Sequence, residues 1–254
     1  MIVVQHDLAM YALRLGDDAL VLAQRLGEWV ASAPQLEEDV AMANIGLDLL
    51  GQARSLLSYA GSLLEPVRTE DDLAYLRDER DWQNSQLVEL ADDGDFGRCM
   101  ARLLVFSAWQ CELYAALAAS QDQTLAAVAG KAVKEVDYHR DHATQWVLRL
   151  GDGTAESHTR MQDALDAVWP YVDELFESDD LVTRLVADGI AVDPASLRGP
   201  VLDYVADVVE RATLTLPAPT VRHSGGRRGV HTEQLGHLLA ELQHVARSHP
   251  GATW

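Results

Sequence analysis

The sequence predicts an all-α bundle of four long helices followed by shorter C-terminal helices. Three observations carry this. Apolar residues recur at three- and four-residue spacing through most of the 254 residues, with almost no period-two alternation. Four such segments run to about 25 residues, or ~37 Å at the usual rise per residue. The composition, 48% hydrophobic but only 6% aromatic, is that of a chain packing alanine and leucine between helices.

The first helix is expected from about Asp7 to Ala31, with Gly16 as a weak point, Asp17 as an internal cap and Ser32-Ala33-Pro34 as its stop. The second runs from Leu36 to Leu63. It opens on Glu37, Glu38 and Asp39, which suit the positive end of the helix dipole, and Pro66 closes the region. Residues 70–90 read as a charged, broken helical stretch, and Asp92-Asp93-Gly94-Asp95 as a turn and cap. A third long helix spans about Phe96 to Ser120. A fourth spans about Thr124 to Leu150 and stops at Gly151-Asp152-Gly153. A fifth begins after Thr154 and reaches Trp169, where Pro170 interrupts it. Shorter helices are expected over 179–188, 195–212 and 231–248. No composition shift marks a second domain, so residues 1–254 read as one domain, with a core bundle of about 7–150 and an extension of about 155–254.

A net charge of −20, from 40 acidic against 20 basic residues, repels nucleic acid and anionic membranes and favours a basic protein partner. No signal peptide and no apolar run of about 18 residues is seen, which places the chain in the cytoplasm. Cys99 and Cys111 read as buried free thiols. Trp29, Trp109, Trp169 and Trp254 read as core or interface rather than as platforms for a cofactor.

The most informative segment is Asp48-Leu49-Leu50-Gly51-Gln52. A bundle helix that ligates two irons offers Glu and His three residues apart, and here those slots hold Leu49 and Gln52. Leucine ligates nothing and glutamine is a poor iron ligand. The fourth helix is broken in the same way. Glu135 and His139 share a face at four residues, but Val136 stands three before His139 and Tyr138 stands three after Glu135. Asp18 lies 31 residues before Leu49, a fair inter-helix offset for a carboxylate. On the third helix the only acid, Glu112, sits too close to Glu135, and Arg102 stands nearer the expected place. The set Asp18, Asp48, Leu49, Gln52, Glu135, Tyr138 and His139 therefore reads as a vestigial pocket with no metal and no catalytic residue. Arg102 or Lys131 is expected to neutralise its remaining acids. The loop around Ser224-Gly225-Gly226-Arg227 is the one locally basic segment. Arg222, Arg227 and Arg228 there are candidates for a phosphate, for coenzyme A or for a protein contact.

Several segments together resemble the C-subunit family of bacterial phenylacetyl-CoA 1,2-epoxidases. They are Leu15-Gly16-Asp17-Asp18, residues 43–54, Leu76-Arg77-Asp78-Glu79-Arg80, residues 134–139, Arg149-Leu150-Gly151-Asp152-Gly153-Thr154, residues 223–227, His231-Thr232-Glu233 and the closing His249-Pro250-Gly251-Ala252-Thr253-Trp254. The resemblance implies a ferritin-like fold and a structural, non-catalytic role beside a di-iron A subunit of similar fold. It also implies further members of the complex. The reductase among them would bring flavin, an iron–sulfur cluster and NADPH to an O₂-dependent ring epoxidation. Ser107 departs from the family, where Asp is usual. A homodimer in the absence of the A subunit stays open. So do two other readings: an active di-iron oxygenase using Asp18, Glu135 and His139, and a coenzyme A-binding accessory module.

Overall fold

A computed structural model describes residues 2–218 and 221–252. Ten α-helices follow one another: α1 (Ile2–Gly27), α2 (Leu36–Leu63), α3 (Glu70–Tyr75), α4 (Phe96–Leu117), α5 (Gln123–Gly151), α6 (Ala155–Val168), α7 (Asp180–Ala187), α8 (Pro194–Arg211), α9 (Glu233–Leu242) and α10 (His244–Ser248). Short 3₁₀ turns connect several of them, and no strand occurs among the described residues. This is the all-α fold predicted, and no helix among the described residues is long and apolar enough to cross a membrane.

Two antiparallel hairpins form the bundle. α1 packs along α2, α4 packs along α5, and α2 meets α5 across the middle. α4 is the central helix. Apolar residues cover it on every side from Cys99 to Leu117, and nearly all of it is buried, as a helix hydrophobic all round must be. α6 and α8 cover the α4–α5 hairpin, and α7 lies on α1. Asp95 accepts from the amides of Gly97 and Arg98 to start α4 and Thr154 with Ser157 forms a capping box on α6, both where the sequence places a helix start; Asp122 accepts from Leu125 to start α5.

Two local expectations fail for one reason. α1 does not weaken at Gly16, and Asp17 does not cap it; the helix runs unbroken from Ile2 to Gly27. A Cβ on Gly16 would sit 2.9 Å from the Leu57 side chain, so the glycine lets α2 approach α1 closely. Asp17, one residue on, is fully buried and serves a tertiary ion pair instead. Trp29 and Trp109 are buried and Trp169 is half-buried, while Trp254 lies outside the described residues. Both cysteines are buried free thiols; burial pushes Cys111 up to about 12 and raises Cys99 well above its ordinary value.

Candidate functional site

The segment around Gln52 faces the bundle interior. Gln52 is buried on α2, and its Nε2 donates to Glu135 Oε2 on α5 at 3.1 Å. Its Oε1 accepts from Tyr114 Oη at 3.3 Å and from Gln110 Nε2 at 3.4 Å, both on α4. Lys131 Nζ stands 3.7 Å from Glu135 Oε1, one helical turn away. Leu49 is fully buried one turn before Gln52. A second pair lies beside this network. His139, fully buried, places Nε2 3.1 Å from Asp48 Oδ2, while its Nδ1 is buried with no protein partner. Burial pushes His139 down, and the Asp48 carboxylate restores only part of that, so the imidazole is neutral at pH 7.

This donor set does not fit two irons. Glu135 already accepts an amide N–H and faces an ammonium group, Leu49 fills its slot with hydrocarbon, and Asp48 is paired with His139 Nε2. Tyr138 is 50% exposed and points away from the interior. Among the described residues no three His, Cys, Asp or Glu side chains converge where a cation could sit. Of the seven positions read from the sequence, the structure joins Gln52 with Glu135 and Asp48 with His139. It places Leu49 among apolar neighbours, Tyr138 at the surface and Asp18 in a different network. Of the two cations the sequence offered, Arg102 does not serve this pocket. That side chain reaches the far end of α4, donates to the Leu90 carbonyl and pairs with Asp92 at 2.8 Å. Lys131 does face the pocket, at Glu135.

Asp18 belongs to a hub that ties the C-terminal loop to the bundle. Its Oδ2 lies 2.7 Å from Arg227 Nη2 and its Oδ1 accepts from the Ser85 amide at 2.7 Å. Burial raises Asp18 above the usual carboxylate range, although Arg227 and the Ser85 amide pull against it. Arg227 also donates to the carbonyls of Gln83 and Arg14. Asp17 beside it takes both ends of the Arg77 guanidinium and the Gln83 amide. The glycine loop is an anion cradle, as read, but its anion is internal. Glu174 Oε1 accepts from the amides of Gly225 at 2.8 Å and Gly226 at 2.7 Å, and Glu174 Oε2 from Gln86 at 2.6 Å. Arg222 pairs with Asp173 at 2.8 Å, and Arg228 stands 3.9 Å from Glu177. With its amides filled and Arg227 committed to Asp18, the loop does not offer the phosphate site the sequence suggested.

Gly226 makes this closure steric. A Cβ there would lie 2.1 Å from the Asn84 carbonyl oxygen and 3.2 Å from the Gln86 nitrogen. Gly226→Ala must move two backbone segments apart, at a cost of about 2–3 kcal/mol. The urea midpoint checks it, and an unchanged midpoint would refute the packing described.

Known proteins match the chain over nearly all its length. The profile of the family described as "phenylacetic acid catabolic protein" matches residues 3–254. The chain belongs to that family. Within the phenylacetic acid catabolic proteins it is similar to the C subunit of the 1,2-phenylacetyl-CoA epoxidase of Escherichia coli (strain K12), with 46% identity over 249 residues, covering 98% of this chain and all of that relative. The resemblance read from scattered segments is thus borne out at the level of the family and of this relative. Ser107, where the family resemblance leads one to expect Asp, is fully buried and donates its hydroxyl to the Leu103 carbonyl one turn back. It needs no charged partner there.

Sequence reasoning missed Glu89 and Glu174, two buried acids that organise the loops. Each stands in irregular sequence with no helical period to mark it as interior. The one available signal was an acid flanked by apolar residues, Leu87-Val88-Glu89-Leu90 and Glu174-Leu175-Phe176.

Proposed function

We propose that this chain is the structural, non-catalytic C subunit of a 1,2-phenylacetyl-CoA epoxidase in phenylacetate catabolism. It pairs in the cytoplasm with a di-iron A subunit of similar fold and holds that partner's active site in shape. Iron sits in A, and the flavin, iron–sulfur cluster and NADPH belong to the reductase partner. The observation that carries this reading is the interior of the bundle around Gln52. A leucine and an amide, Leu49 and Gln52, stand on α2 in the two slots where an iron-binding bundle helix presents Glu and His. Gln52 bonds to Glu135, Gln110 and Tyr114, and Asp48 to His139, so these polar groups find partners within the protein. End-to-end similarity to the C subunit of the Escherichia coli epoxidase supports the assignment within the complex.

Co-expression with the A subunit tests it. The two chains are expected to co-purify, and epoxidation of phenylacetyl-CoA, with the reductase supplying electrons, is expected to fall at least about tenfold when this chain is withheld. An A subunit that is stable and fully active alone would overturn the proposal. So would about two irons per chain in this protein purified by itself.

A further inference from the structure

We draw no further inference here: the strongest candidate, the exposed apolar face of α2 formed by Leu36, Val40 and Leu47, carries nothing because nothing in the structure shows what covers it.

Discussion

Arg227→Met is expected to destabilise the protein by about 3–5 kcal/mol, a loss of roughly 10 °C in Tm. The size follows from what is left behind. Asp18 is almost fully buried, and among the described residues Arg227 is the only cation bonded to it. Burial already raises Asp18, and without the guanidinium it is driven further up. The same change frees the carbonyls of Gln83 and Arg14 and removes a positive charge beside Glu174, also raised by burial. The sign with pH is fixed by those directions. A buried acid whose folded value lies above its unfolded one opposes folding when ionised, and this penalty fades as pH falls through the folded value. The deficit of Arg227→Met should therefore be smaller at pH 5 than at pH 7.5. Removing both charges in Asp18→Asn/Arg227→Met should cost less than the two single changes added together, by about 1.5 kcal/mol or more. Urea unfolding of the four proteins at the two pH values measures all of this. Additive costs would mean that the two side chains do not act as a pair.

The bundle was legible because its signals are local. Helical period, the caps at Asp95 and Thr154 and the stop at Gly151 all act within a turn or two of where they stand, whereas α1 ends at Gly27, short of the Ser32-Ala33-Pro34 stop expected for it. The place of Leu49 and Gln52 on one inward face of α2 was legible too, since helical spacing alone sets it. What the sequence hid is partnership across the fold. Asp18 and Arg227 are 209 positions apart, and Asp17 and Arg77 are 60 apart, so no spacing rule links them. Helical offsets correctly placed Asp18 on α1, but they could not say that it turns toward Ser85 and Arg227 instead of toward Glu135. The choice between Arg102 and Lys131 was not legible, because an offset fixes height along a bundle and not the direction in which a long side chain reaches. The glycine loop shows the same limit: its chemistry, backbone amides gathered around an anion, was readable, but the identity of the anion as Glu174 was not.

Glu89→Gln should match Arg227→Met in size, at about 3–5 kcal/mol near pH 6, and differ from it in pH dependence. Glu89 is fully buried and every one of its partners is a donor. Oε1 accepts from Asn84 Nδ2 at 2.9 Å and lies 2.6 Å from His231 Nδ1; Oε2 accepts from the Thr232 amide and hydroxyl, each at 2.7 Å. Glutamine sets an NH₂ group against some of those donors, whichever way it turns. The other ring nitrogen of His231 lies 2.9 Å from the Trp82 carbonyl, so both nitrogens face acceptors and the ring is held as an imidazolium. Burial by itself would lower His231, but Glu89 and the Trp82 carbonyl outweigh it and the value is raised. Its stabilisation is thus fully present below the unfolded value of about 6.5 and is lost as pH rises through the raised folded value. Without the Glu89 charge, burial wins, His231 falls below its ordinary value, and its contribution changes sign. His139 and His142, both lowered chiefly by burial, favour the folded state above about pH 6.5 and lose that effect as pH falls. They do so equally in both proteins, so the difference between the two isolates His231. That difference should shrink between pH 6 and pH 8.5, by about 1.4 kcal/mol for each unit that separates the two folded His231 values. Urea midpoints across this range, with the His231 ring followed by NMR, measure it. A gap that stays constant while His231 titrates alike in both proteins would show that the pair is a neutral hydrogen bond and that the C-terminal segment is held by packing alone.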